Sequence, residues 1–283
     1  MSRFRTLIDV ETLAANLGAP HWVVLDCRFD LAKPAWGESE FAQSHIPGAQ
    51  YAHLDRDLSC APDPTSGRHP LPPAQLLAQR GSAWGVDDRV QVVVYDQGNG
   101  MYAARAWWLF RWLGHADVAM LDGGLAAWLA AGKPMTSQSV PPTARRFSAR
   151  PNAALAAIAA DVQRDLAAGS ICLADARPAD RFAGQNETID PVAGHVPGAV
   201  NHPFARNLDA QGRFLPAAEL RSRWLATLGG RAPGELVVMC GSGVSACHDL
   251  LALEHAGLGG ARLYAGSWSE WIGDPARPVA SGN

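Results

Sequence analysis

The chain has 283 residues, of which 48% are hydrophobic and 18% charged, with a formal net charge of -3; that is material for two ordinary cores and excludes the basic field used by nucleic-acid binders. No apolar run approaches ~18 residues without a charge, so no membrane span is expected, and the N-terminus lacks a signal peptide's apolar core. The five cysteines, an odd number with no zinc-like spacing, imply reduced thiols in a cytoplasmic protein and no structural metal.

In chain order, "MSRFRTLIDVETLAANLG" has an acidic, helix-like pattern, and "WVVLD" at 22–26 reads as a buried strand closing on Asp26, with Arg28 two places on. "FAQSHIPGAQYAHL" at 41–54 carries a His-x-Pro-Gly-Ala block, and "RDLSCAPDPTSGRHPLPP" at 56–73 is a proline-rich loop. "VQVVVYD" at 90–96 is a second strand, followed by a small-residue loop and the helical "AARAWWLFRWLG". "VAML" at 118–121 is a third, leading into "LDGGLAAW". Residues 132–153, rich in Pro, Ser, Thr and Arg, have no periodicity and read as a connection.

The second half repeats the first. "ICLADARPAD" matches "WVVLDCRFD", "VAGHVPGAVNHPF" matches the first His-x-Pro-Gly-Ala block, "GELVVMCGSGVSACHDLLALEHAG" matches the second strand and its helix, and "YAGSWSEW" matches "LDGGLAAW". Continuous Val/Ile/Leu runs alternating with helices indicate parallel sheets covered on both faces. The expected fold is therefore α/β, in two similar tandem domains at 1–135 and 154–283 joined by a linker at 136–153. His45 and His195, and the pairs Asp26/Arg28 and Asp175/Arg177, occur once in each half and so read as structural. Cys27, Cys172 and Cys247 read as inert, inward-packed thiols.

The halves differ at one place of chemical interest. Aligning "VVVYD" on "LVVMC" puts Asp96 opposite Cys240. An aspartate at that place implies a solvated strand end, at the carboxyl edge where open α/β sheets bind ligands. In "CGSGVSA" the small residues Gly241, Ser242, Gly243, Val244 and Ser245 allow backbone N–H groups to converge near the sulfur. A helix starting near 244–246 turns its positive end the same way, and both features favour an anion on that sulfur. Cysteine phosphatases use a similar loop with an arginine six residues on to grip phosphate. Here that residue is Ala246 and the loop holds no arginine, which favours a smaller, sulfur-centred anion.

These motifs resemble tandem rhodanese-type sulfurtransferases over about residues 5–275. The loop is similar to that of the 3-mercaptopyruvate enzymes, which usually read CGSGVTA; thiosulfate-type members more often carry basic residues directly after the cysteine. The resemblance implies two rhodanese-like domains, a catalytically silent N-terminal one and an active C-terminal one. It implies a Cys240 persulfide that receives sulfur from 3-mercaptopyruvate or thiosulfate, without metal or organic cofactor. The sulfur then passes to cyanide or to a thiol such as thioredoxin or a small thiol, with no nucleic-acid or membrane partner. Among the residues, it implies Asp55, His69 and Ser242 as a set that activates the donor, the first two of them in the silent domain. Arg181 is implied as the group that binds the donor carboxylate, a role that suits its planar fork. The 3-mercaptopyruvate enzymes supply a second arginine shortly after the first, whereas this chain reads "GQNETIDPVAGH" there. Either another cation such as Arg105 assists or thiosulfate competes better. A thiosulfate sulfurtransferase and a non-enzymatic persulfide carrier are the alternative readings.

Overall fold

In a computed structural model, which describes residues 3–282, the apolar runs of the first half become parallel strands. Along the chain come β1 (Leu7–Ile8), α1 (Val10–Asn16), β2 (Trp22–Asp26), α2 (Trp36–Gln43), β3 (Gln50–Tyr51), α3 (Ala74–Ala83), β4 (Gln91–Tyr95), α4 (Ala103–Trp112), β5 (Val118–Leu121) and α5 (Gly124–Ala130). The strands pair in the order β1-β5-β4-β2-β3, all parallel. Every residue of the central β4 is buried, as a strand covered on both faces must be, which is why its sequence shows no polar alternation. The edge strands β1 and β3 are two residues long, too short for any period to register in sequence. Asp9 starts α1, its carboxylate accepting the Thr12 N–H at 2.8 Å.

The second half repeats this plan with β6 (Ala156–Ala157), α6 (Ala159–Ala167), β7 (Cys172–Asp175), α7 (Ala179–Phe182), β8 (Val200–Asn201), α8 (Ala217–Leu228), β9 (Leu236–Met239), α9 (Ala246–His255), β10 (Arg262–Tyr264) and α10 (Ser267–Trp271). Its strand order, β6-β10-β9-β7-β8, is the first order shifted by one repeat. Each sheet has its own core, with Val93, Leu121 and Trp128 in one and Val237, Tyr264 and Trp271 in the other. Each such large side chain, fully buried, contributes roughly 1.5–3 kcal/mol.

The matched polar pairs are structural in both halves. Arg28 Nη2 meets Asp26 at 2.7 Å and Arg177 Nη2 meets Asp175 at 2.7 Å, both pairs buried. Each arginine also donates to a distant carbonyl, that of Ser44 or of Gly194. His45 stacks on Phe41 at 4.0 Å and His195 on Phe182 at 3.8 Å, with Nδ1 bound to a backbone carbonyl in each case.

The chain divides into two compact units that do not follow the sequence halves strictly. The first unit is Met1–Cys60, Pro72–Asn152 and Ala210–Arg213; the second is Ala61–Leu71, Ala153–Asp209 and Phe214–Asn283. The proline-rich loop of the first half thus supplies part of the second unit. The connecting stretch is irregular but packed on the first unit up to Asn152. Arg145 and Arg150 donate backbone N–H groups to the Ser82 and Leu113 carbonyls at 3.0 and 2.9 Å, and Phe147 is buried beside Phe110. Its prolines set an irregular backbone; they do not prevent packing. Among the described residues no helix is long and apolar enough to cross a membrane.

Candidate active site

Cys240 follows the last residue of β9, and α9 begins six residues later at Ala246. The intervening loop is tight because Gly243 adopts φ +74°, and any Cβ there would run into the Ala265 carbonyl oxygen. The cysteine backbone is clamped from α10: its N–H donates to Ser267 Oγ at 3.1 Å and its carbonyl accepts Trp268 N–H at 3.0 Å. Ser267 holds this position at φ +55°, the one positive φ outside glycine among the described residues. A left-handed non-glycine residue costs on the order of 1–3 kcal/mol and is kept where its surroundings over-determine it. Sequence reading missed Ser267; its signal was the replacement of the second glycine of "LDGG" by a serine in "YAGS".

The first unit shows what this loop is built to hold. At the position of Cys240 stands Asp96, whose Oδ1 accepts the N–H groups of Gly98 and Gly100 at 2.9 and 3.0 Å. Its Oδ2 accepts those of Tyr102 and Ala103 at 2.9 and 3.3 Å. The expected solvated strand end is therefore wrong: Asp96 is 0% exposed and Cys240 2%. A buried carboxylate is tolerated because four amides surround it; burial still pushes its carboxyl above the ordinary aspartate range, with the amides opposing. Gly100 and Gly243 both take positive φ three residues before their helices. By that register, the amides of Gly243, Ser245 and Ala246 correspond to those of Gly100, Tyr102 and Ala103. Val244 and Ser242 are buried in the same loop.

The segment Ala61–Leu71 completes the surroundings of Cys240 within the second unit. Gly67 lies so close to the Gly266 carbonyl that no side chain would fit, and Arg68 N–H donates to Ser269 Oγ at 3.0 Å. This docking sets His69 Nδ1 2.7 Å from Ser242 Oγ. His69 thus belongs with the cysteine's own unit, contrary to the expectation that it stands in the silent domain. Asp55 lies in the first unit, exposed on the turn after β3, its N–H donating to His53 Nδ1 at 3.1 Å.

Arg181, on α7, directs Nε and Nη2 at Glu187 at 2.8–3.0 Å and Nη2 at Asp190 at 3.2 Å. Burial opposes ionisation of Glu187, but the Arg181 hydrogen bonds and the Asp190 and Ile189 amides hold its carboxyl below the usual range. Asp190, nine residues after Arg181, stands in the region that lacks the second arginine, and Arg68 Nη1 donates to its Oδ1. Arg105, the other cation considered from the sequence, is fully buried in the first unit, where Nε donates to the Leu58 carbonyl. Arg68, which sequence reading passed over, stands nearby in the second unit: its Nη2 lies 2.9 Å from where a Cβ on Gly241 would stand, nearer than the Nη2 of Arg181 at 3.8 Å.

A family model described as "Rhodanese-like domain" matches residues 9–131 and 158–274, one match per sheet. The chain belongs to the rhodanese family. It is 51% identical over 280 residues to a Pseudomonas aeruginosa protein named "Probable 3-mercaptopyruvate sulfurtransferase", with 98% of each chain covered. It is also 31% identical to the thiosulfate sulfurtransferase of Bos taurus, covering 95% of this chain and 92% of that one. Among solved structures, the 3-mercaptopyruvate sulfotransferase SseA from Escherichia coli superposes with a TM-score of 0.82 at 29% identity, covering 94% of this chain and all of that one. As a rhodanese with such relatives, the chain is a sulfurtransferase.

Proposed function

We propose that this rhodanese takes a sulfur atom from 3-mercaptopyruvate onto Cys240 and delivers it to a thiol or cyanide. The observation that carries the reading is the exchange of Asp96 for Cys240 at one strand end of two otherwise matching units. In the first unit the amide cradle is filled by a fixed carboxylate; in the second the same position carries a sulfur that can gain and lose a charged group. The Cys240 thiolate attacks the donor sulfur, the carbon–sulfur bond breaks, and the electron pair leaves on carbon as pyruvate enolate, which takes a proton. The acceptor thiolate then attacks the outer sulfur of the persulfide, and the Cys240 thiolate returns. Covalent transfer of this kind replaces one hard step by two easier ones.

The other residues take roles that their surroundings support. The amides of Gly241, Gly243, Val244 and Ser245 stabilise charge on the transferred sulfur, in the manner of an oxyanion hole. Ser242 and His69, 2.7 Å apart, form a hydroxyl–imidazole pair able to move the proton the enolate needs. Asp55 is assigned the third place in that set on family resemblance alone, and Asp55→Asn is the variant that tests it. Arg181 takes a share in binding the donor carboxylate, through the edge not committed to Glu187. We place the protein in the cytoplasm, where its five free cysteines remain reduced.

Thiosulfate is the second reading of the donor. The name of the Bos taurus relative supports it, and with it sulfite leaves instead of the enolate. Parallel steady-state assays decide: 3-mercaptopyruvate is expected to give the higher kcat/KM, and a clear preference for thiosulfate would overturn the first assignment. Retention of transfer by Cys240→Ser with both donors would refute the persulfide route altogether.

A further inference from the structure

We infer that Arg68 is the specificity-determining cation of the donor pocket and binds the donor's anionic end beside Cys240. The inference rests on the sulfur-transfer reading above. Arg68, Arg181 and Asp190 stand beside Gly241, with Glu187 paired to Arg181, and these side chains are not equivalent. Arg181 spends Nε and Nη2 on Glu187 and Asp190. Arg68 spends only Nη1, on Asp190, while its Nε is buried with no hydrogen-bond partner. The side chains of Asp190, Glu187 and Arg181 are 1%, 2% and 15% exposed, and that of Arg68 is 31% exposed. The most exposed of these four side chains is therefore Arg68.

The placement of this side chain is specific. Arg68 Nη2 stands 2.9 Å from where a side chain on residue 241 would begin, so the guanidinium covers the residue that follows the nucleophile. A Cβ at 241 would displace the end of the Arg68 side chain from this place. A buried guanidinium N–H without an acceptor is unfavourable, and an incoming oxyanion relieves it through the two parallel bonds of a planar fork. The ligand chemistry is a small oxyanion attached to a transferable sulfur, either a carboxylate or a sulfonate. Asp190 holds Arg68 by one N–H and competes with that ligand for its charge. Burial, reinforced by Glu187, pushes the Asp190 carboxyl up against the pull of the two arginines.

Two measurements on the full chain test this: steady-state kinetics with 3-mercaptopyruvate and thiosulfate, and calorimetric titration with pyruvate and sulfite, which carry the anion but no transferable sulfur. Arg68→Ala is expected to raise KM for the preferred donor and Kd for the matching anion about 10–100-fold, with kcat within about threefold. Arg68→Lys should fall between, keeping the charge and losing the fork. Asp190→Asn, which removes the competitor, should lower both constants about threefold. A larger loss with 3-mercaptopyruvate and pyruvate identifies the ligand as a carboxylate, and with thiosulfate and sulfite as a sulfonate. Unchanged constants in Arg68→Ala, or a fall in kcat and melting temperature at unchanged KM, would overturn the inference. If the wild type binds these anions in an Arg68-dependent way yet transfers no sulfur, the proposed function fails and the assignment of Arg68 stands.

Discussion

The loops after β4 and β9 are one design with two fillings. Around Asp96, four amides bind an anion that belongs to the chain itself; around Cys240, a related turn faces a thiol that, in the proposed function, acquires its negative group by chemistry. The first unit therefore serves as an internal control. It shows four backbone amides of one strand–turn–helix loop converging on a single buried carboxylate.

The largest expected effect comes from removing the side chain that separates the two loops. Cys240→Ser should lower transfer at least about 1000-fold, read as pyruvate and thiocyanate formation, with little change in melting temperature. Next, Asp96→Ala should leave four amides unpaired and cost about 3 kcal/mol of unfolding free energy. Chemical denaturation would measure this, and a wild-type midpoint would break the view that Asp96 fills the cradle.

Acid should also weaken the second unit through a buried histidine. His202 occupies the place of Ala52 in the pairing of β8 with β7, each residue donating its N–H to the carbonyl that ends the neighbouring strand. It is fully buried and stacked on Trp224 at 3.7 Å. Burial, aided by the charge of Arg206, holds its pKa down to about 4. An unfolded histidine takes its proton near 6.5, so between these values the unfolded chain binds more protons and stability falls as pH falls. The loss reaches about 3 kcal/mol below the window. Melting curves should drop between pH 6.5 and 4, and His202→Gln should flatten that slope.

The smallest effect concerns Ser267, whose counterpart Gly124 has the same φ of +55°. Ser267→Ala loses the hydroxyl and keeps the strain, whereas Ser267→Gly loses the hydroxyl and relieves it. The alanine variant should be less stable than the glycine variant by about 1 kcal/mol, and both should lower kcat several-fold because Cys240 N–H loses its acceptor. Equal stability of the two would show that the left-handed backbone stores no strain.

The repeat made much of this legible before any coordinates. β2 and β5 lie where the apolar runs were read, and the parallel order follows from continuous Val/Leu strands. The singular position of Cys240 also came from comparing the halves. What stayed hidden depends on distance in space. Asp96 read as a solvated acid because sequence reports polarity, and the backbone amides that make its burial tolerable carry no letter. Arg68 sat in a proline-rich loop of the first half, and only folding brings it over Gly241. The fork between Arg181 and Glu187 was equally silent, because a spacing of six in a loop has no periodic signature.

The exchange of segments between the units has a consequence for how such a chain can be divided. The polypeptide crosses between them after residues 60, 71, 152, 209 and 213. A fragment beginning at residue 154 would keep Cys240 and lose both His69, which meets Ser242, and Arg68, which covers Gly241. The two repeats are thus not separable by a single cut: the first half of the sequence cannot be trimmed away by deletion, because it carries a segment that belongs to its sibling's unit.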